Sequence, residues 1–299
     1  MREGEGSGIL FALCGFALLS VGDAIIKTMA GAFPPLGVAA LRFTFGALGL
    51  SALVFAREGR SVLRPPVPLL QLARGMCLAL ASLCFFSAVF VMPLAEATAL
   101  VFVAPILTAL LSAPLLKERV RPATFIASAV AFAGVLIVLR PNILAIGVAA
   151  LLPVGAALFM ALLVIANRAT AGRGSVLAMQ FYVAIVAAPV LVVAAALGEL
   201  SGIRALALSI PAPSVALRCA AVAVIASTAH YLVYLGTTRA NAASVAPMSY
   251  VQLLVASALG WWWFGDQPDL ATLGGAAVII GAGLYLWNDS RLRASTTPG

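Results

Sequence analysis

Long apolar runs, separated by short groups of proline, glycine and charged residues, follow one another along almost the whole chain. A helix needs roughly 20 apolar residues to cross a bilayer, and the runs approach that length. We expect ten membrane-spanning helices, at roughly 8–29, 35–55, 70–91, 95–115, 123–139, 145–167, 176–197, 215–235, 242–263 and 270–287. The pattern therefore predicts an all-α membrane protein.

The composition supports this prediction and leaves little chain for a soluble domain. Of 299 residues, 63% are hydrophobic and 9% are charged, with a mean hydropathy of +1.12, whereas soluble proteins carry about 25% charged residues. The net charge is +8, and most basic residues fall in alternate connectors such as Arg57–Arg64. Because basic loops mark the cytoplasmic side, we expect both termini in the cytoplasm, and this placement disfavours nucleic-acid binding.

An internal repeat relates the two halves of the chain. The segments 95–141 and 243–289 share a layout, and an offset of 148 residues places Phe102 on Tyr250. Five spans in each half give the halves opposite orientations in the membrane, which is the inverted-topology repeat typical of secondary transporters. The predicted units are a first five-helix repeat, residues 1–141, and a second, residues 142–299.

Two stretches of sequence also carry a family resemblance. They are Pro35 to Phe43 in the second span, and Ala95 through Pro105 to Leu116-Lys117-Glu118-Arg119, with its counterpart in the second half. They resemble the drug/metabolite transporter superfamily in its ten-span EamA-type branch, and the whole chain most resembles bacterial aromatic amino acid exporters. The resemblance implies export across the bacterial inner membrane, through a central cavity lined mainly by spans 1, 3, 4, 6, 8 and 9, with spans 5 and 10 peripheral.

Polar and aromatic side chains within the apolar runs are the candidate substrate-binding residues. Ser227, His230 and Tyr234 share one face of the eighth span, and the repeat relates that face to Ser82 and Phe86 in the third. Aromatic rings stack on planar groups, so we predict a site for aromatic and other neutral amino acids. Its predicted residues are Ser82, Phe86, Phe102, His230, Tyr234, Tyr250 and Gln252. Ordinary helix packing is the alternative for each of them.

Charged residues and a proline within the spans are candidate gate and hinge positions. Each charge within a membrane costs about 2.5 to 3.5 kcal/mol, so Asp23 and Lys27, spaced i and i+4, are expected to pair along one helix face. The pair is either a structural ion pair or a gate that releases to bind a zwitterion. Pro105 is a predicted hinge because it removes a backbone hydrogen bond. Arg42 is either a snorkelling anchor or a substrate contact.

No residue pattern supports catalysis or metal binding. The Gly-x-Gly-Asp signature of intramembrane aspartyl proteases is incomplete at both Asp23 and Asp266, and His230, the only histidine, has no ligating neighbours in its segment. We therefore expect a transporter rather than an enzyme, with no cofactor. Its expected partners are an amino acid substrate and the lipid bilayer, and its expected state is a monomer or weak homodimer. The alternatives are a carrier of another metabolite or drug, a channel, or an intramembrane enzyme.

Overall fold

The computed structural model describes residues 3–116, 122–170, 172–239 and 246–294. Within these ranges the chain forms α-helices and short 3-10 segments, and no strand. The helices are α1 Glu3–Lys27, α2 Pro35–Glu58, α3 Pro68–Val91, α4 Leu94–Val101, α5 Ala104–Leu116, α6 Pro122–Ile146, α7 Leu152–Ala169, α8 Val176–Leu200, α9 Pro213–Arg239, α10 Val251–Phe264 and α11 Leu270–Ala294.

The all-helical membrane fold is confirmed. Seven segments of the described chain are long and apolar enough to cross a membrane, and Phe125–Val138 and Leu270–Tyr285 are shorter apolar helices. Every predicted span overlaps an observed helix, although the count of ten membrane crossings stays a prediction. Lys117, Glu118 and Arg119 lie outside the described residues, as does the predicted start of the ninth span at 242–245.

The helix ends follow local backbone chemistry. Pro35 and Pro68 occupy the first position of α2 and α3, where the missing N–H has no helical partner to lose. The amide of Ala178 donates to the Ser175 hydroxyl at 3.0 Å, which caps α8. Gly265 ends α10 with a φ of 70°, a left-handed conformation that glycine adopts without steric cost.

Within the described residues, the backbone departs from α-helical geometry at two positions that the predicted repeat aligns. The predicted fourth span breaks into α4 and α5 at Phe102 and Val103, and the 3-10 segment Ala246–Tyr250 precedes α10. Phe102 and Tyr250 sit at these breaks, with ring centroids 5.2 Å apart and ring planes inclined by 56°. Because α4 packs against α10, the breaks meet inside the bundle.

Helices from the beginning of the chain pack mainly against helices from its end. α1 lies along α9 and α10, α2 along α8, α3 along α7 and α8, and α6 along α11. We call the end of the bundle at which α1 finishes the Lys27 end; α2, α4, α9 and α11 begin there. The opposite end, where α2 finishes, is the Glu58 end. The two parts of the chain therefore interlock along their full length.

A glycine contact holds α6 against α11. A Cβ atom added to Gly134 would lie 2.9 Å from the carbonyl oxygen of Gly275, and one added to Gly275 would lie 2.8 Å from the carbonyl oxygen of Gly134. The backbones therefore touch, as small residues permit between membrane helices. Gly283, about two turns further along α11, faces the hydroxyl of Tyr250. Gly275 and Gly283 thus serve packing within the chain.

Candidate functional site

Arg42 lies inside the bundle with its hydrogen-bonding capacity unused. It is seven residues into α2, about 10 Å from the Lys27 end at 1.5 Å per residue. Its guanidinium lies over the rings of Phe43 and Phe86, with its central carbon 4.3 Å and 5.6 Å from the ring centroids. Nε is buried, and no side-chain donor of Arg42 finds a hydrogen-bond partner among the described residues. The two rings thus cover the faces of the guanidinium, while its N–H donors remain without acceptors among the described residues.

Asp23 on α1 brings an opposite charge to the same region. Asp23 and Arg42 are close enough to interact electrostatically, yet no ion pair joins these two described residues. Asp23 is partly exposed and accepts no side-chain hydrogen bond from any described residue. An open carboxylate and an open guanidinium therefore lie near each other without pairing, and we call the region between them the gap.

Contacts between α1, α2 and α9 fix the depth of this gap. The thiol of Cys219 lies 3.9 Å from the backbone oxygen of Val38, one turn before Arg42. A Cβ atom on Gly22 would lie 3.8 Å from Val222. Asp23 and Arg42 therefore sit at the same level, beside the first half of α9.

His230 lies deeper, on the same face of α9. Cys219, Ala223, Ala226 and His230 recur every three or four residues, which places them on one face. The first three are buried, whereas His230 is exposed and lies within electrostatic range of Arg42. The packed face of α9 thus opens at His230, on the side of the gap toward the Glu58 end.

The remaining predicted residues on α3 and α9 have different surroundings. Ser82 and Phe86 are 9% and 4% exposed, and Phe86 contacts Arg42 and Phe85. Tyr234 is 39% exposed, which is more than either of those residues. The predicted pairing of Phe86 with Tyr234 across one cavity stays a prediction.

A second group of predicted residues gathers at the helix breaks. Phe102 and Tyr250 are in ring contact, as described above, and the backbone oxygen of Gln252 accepts a hydrogen bond of 2.8 Å from Ser20 on α1. Pro105 occupies the first turn of α5, directly after the break in the span. The break itself lies at Phe102 and Val103, whose amides donate to the backbone oxygens of Ala99 and Leu100 at 3.2 and 3.3 Å. A hydrogen-bonded turn therefore precedes the proline.

Lys27 does not pair with Asp23, and that prediction is wrong. Its ammonium forms an ion pair with Asp266, which follows α10, and donates to the backbone oxygen of Met92 at 3.2 Å. It also lies 4.8 Å from the ring centroid of Phe264. The physical reason is reach, because the turn after α10 comes over the end of α1 and offers a carboxylate at closer range. One side chain thus ties three helix ends together at the Lys27 end.

Sequence reasoning missed two of these relationships. The sequence pattern places Asp266 only as the acid that follows a repeated helix and as a member of an incomplete protease signature. It places Arg42 only as a snorkelling anchor or a substrate contact. The signal for Arg42 was its place between Leu41 and Phe43 in an otherwise apolar span, because a charge at that depth requires compensation. Within the described residues, no group of three His, Cys, Asp or Glu side chains has the geometry to hold a metal ion.

Comparison with known proteins identifies the family. The model of the EamA-like transporter family matches residues 6–140 and again residues 147–288. The chain belongs to the EamA-like transporter family. Its members are transporters and not enzymes, so this EamA-like transporter moves a small molecule across a lipid bilayer as a multi-pass membrane protein.

Individual relatives differ in substrate and direction. The chain is 27% identical over 282 residues to an S-adenosylmethionine uptake transporter of Rickettsia bellii, covering 93% of this chain and 92% of that protein. It is 29% identical to a riboflavin transporter of Rhizobium johnstonii, with 93% and 89% covered. It is 36% identical over 117 residues to the aromatic amino acid exporter YddG of Ancylobacter novellus, with 39% and 40% covered.

A solved structure shares the architecture. It superposes with a TM-score of 0.60 at 25% sequence identity, covering 94% of this chain and 97% of the other, and is described as "Crystal structure of protein". The fold thus extends over nearly the full length of both chains.

Proposed function

We propose that this EamA-like transporter is a secondary carrier that exports amino acids, mainly aromatic and other neutral ones, by alternating access. The observation that carries the proposal is the interior group of Arg42, Phe86 and Asp23, in which open polar donors and acceptors lie beside aromatic rings. Charged groups persist inside a membrane protein chiefly where they serve a pathway or a site. An amino acid with a planar side chain offers both ionic groups and a ring.

The interrupted fourth span, the 3-10 segment before α10 and the two family matches support alternating access. One family model matches the chain twice, as expected of two repeats, 1–141 and 142–299, with inverted topology. The breaks at Phe102 and Tyr250 offer points at which the spans can bend. Ser82, His230, Tyr234, Gln252 and Pro105 are included in the proposed pathway as lining and hinge residues.

A carrier of another ring-containing metabolite is the second candidate. The relatives named for S-adenosylmethionine, riboflavin and aromatic amino acids handle compounds that share a planar ring. Aromatic side chains in the site could bind all three compounds by stacking. The charges of Asp23 and Arg42 favour those compounds that carry ionic groups. These charges make an amino acid our first choice.

We place the protein in the bacterial inner membrane with both termini in the cytoplasm. The bacterial relatives support the membrane, and the basic connectors support the orientation. In this orientation Lys27 and Asp266 lie at the extracytoplasmic end, and the opening beside His230 faces the cytoplasm. A substrate that is to be exported would enter from that side.

The proposal is tested by exchange in proteoliposomes. Vesicles preloaded with unlabelled phenylalanine should accumulate labelled phenylalanine transiently, because a carrier couples efflux to influx whereas a channel does not. Riboflavin and S-adenosylmethionine, offered as competitors, separate the two candidates. Exchange with riboflavin alone would favour the second candidate, and absence of saturation and counterflow would overturn the carrier mechanism.

A further inference from the structure

The arginines of the described spans differ in how their charge is satisfied. Arg74 on α3 is 5% exposed, and it donates from Nε to Asn167 at 2.6 Å and from Nη1 to Gln71. Arg218 on α9 donates from Nη1 to the backbone oxygen of Thr28 at 3.1 Å. Both have neighbours that accept their hydrogen bonds. Arg42, in contrast, has rings on its faces and no acceptor within hydrogen-bond distance among the described residues.

We infer that Arg42 and Asp23 form a zwitterion-binding site, in which Arg42 binds the carboxylate of an α-amino acid and Asp23 binds its ammonium group. The inference rests on the proposed function and names the residues that would recognise the charged part of its substrate. The planar guanidinium has parallel donors that match the two oxygens of a carboxylate. Phe43 and Phe86 keep it planar and oriented by covering its faces.

Charge balance explains why the ligand is a zwitterion. Asp23 and Arg42 together carry no net charge, so a ligand with one negative and one positive group fills the gap without adding charge to the membrane interior. A simple anion would satisfy Arg42 but would face the carboxylate of Asp23. A simple cation would satisfy Asp23 but would face the guanidinium. Either one leaves a buried charge unpaired, which is costly in apolar surroundings.

The direction of the ligand's side chain follows from the surrounding helices. α1 and α9 close the gap toward the Lys27 end, where Cys219 is fully buried. The same face of α9 becomes exposed at His230, seven residues beyond the level of Asp23, or about 10 Å along the helix. The side chain of a bound amino acid therefore points toward His230, and Phe86 lies beside the charged groups.

The test compares a zwitterion with analogues that lack one charge. Phenylalanine, phenethylamine, which lacks the carboxylate, and 3-phenylpropionate, which lacks the ammonium, are titrated by calorimetry into the purified full chain. The wild-type protein should bind phenylalanine about tenfold more tightly than either analogue, as one charged hydrogen-bonded contact is lost in each. Arg42→Gln should remove the preference over phenethylamine, and Asp23→Asn should remove the preference over 3-phenylpropionate.

Conservative and matched variants separate binding from folding. Arg42→Lys keeps the charge but loses the parallel donors, so it should bind phenylalanine with intermediate affinity. Thr44→Val is the matched control, because the Thr44 hydroxyl bonds only the backbone of its own helix at Ala40, 2.7 Å away. It should bind all three ligands as the wild-type protein does. Size-exclusion profiles and melting temperatures show whether each variant is folded.

The outcomes distinguish this inference from the proposed function. If wild-type protein prefers phenylalanine and folded Arg42→Gln and Asp23→Asn keep that preference, the site is wrong and the function stands. If wild-type protein ignores phenylalanine but binds S-adenosylmethionine in a manner that Arg42→Gln abolishes, the site stands and the amino acid exporter is wrong. If neither zwitterion binds, both are overturned.

Discussion

Phe102 and Tyr250, which are 148 residues apart in the sequence, meet ring to ring where α4 ends and α10 begins. Two positions related by a two-fold axis can touch only where they lie close to that axis, so this contact is expected if the halves are related by the proposed inverted repeat. The Tyr250 hydroxyl also rests against Gly283. The end of α4 and the start of α10 are thereby linked to each other and to α11.

The contact between Tyr250 and Gly283 predicts a compensating pair of substitutions. Gly283→Ala should destabilise the protein by about 1 to 3 kcal/mol, because the new methyl group overlaps the tyrosine hydroxyl. Adding Tyr250→Phe removes the hydroxyl and should restore most of the melting temperature in detergent. Gly281→Ala is the control, since a Cβ atom there meets nothing within 4 Å. Equal losses in the single and double variants would show that the hydroxyl does not cause the clash.

We predict that the Lys27–Asp266 ion pair helps to keep the Lys27 end of the bundle closed. In protein whose other cysteines are replaced by alanine, the fully buried Cys219 reports opening by its reaction with an impermeant maleimide. Lys27→Met should raise the labelling rate roughly fivefold, equivalent to about 1 kcal/mol for a partly buried pair. The exchanged pair Lys27→Asp with Asp266→Lys should return the rate toward the wild-type value. Unchanged labelling in Lys27→Met would mean that packing alone closes this end.

Pro105 predicts a kinetic effect without a large change in affinity. The residue lies in the first turn of α5, where its missing N–H costs the helix little. Pro105→Ala allows the break at Phe102 to close into a continuous helix, so exchange should slow severalfold while binding stays within a few fold of wild type. Pro114→Ala, near the other end of α5, is the control. Wild-type exchange rates in Pro105→Ala would assign the bend to the neighbouring residues.

The orientation is tested by labelling at the two ends of the bundle. Arg60 and Gln267 are both exposed, and they lie at the Glu58 end and the Lys27 end respectively. In intact cells, an impermeant thiol reagent should label Gln267→Cys and should leave Arg60→Cys unmodified until the membrane is permeabilised. The reverse pattern would invert the proposed topology and would direct the opening beside His230 to the outside.

The sequence was sufficient for the elements and insufficient for the contacts between them. The length of each apolar run, and the prolines and glycines between the runs, placed each predicted span on an observed helix, because these signals are local in the sequence. The pairing of Lys27 was predicted with Asp23 on the same helix, where spacing can be read. Its actual partner, Asp266, follows in the chain by 239 residues, and only the packing of α10 beside α1 brings it near. Arg42 and Asp23 were both recognised as costly charges, yet their shared depth depends on the register between α1, α2 and α9.

The glycine contact between α6 and α11 restricts how these two helices can move relative to each other. A backbone-to-backbone contact has no side chain that can change rotamer to accommodate sliding, so Gly134 and Gly275 keep these helices in one register. We expect α6 and α11 to move as one rigid pair, the strut. The other helices would rotate about this pair when the carrier switches between inward-open and outward-open states. Spin labels at the outward-facing Phe132 and Leu273 should then report one distance with and without substrate. Two distances would mean that the strut itself shears, and the pivot would have to lie at the paired rings instead.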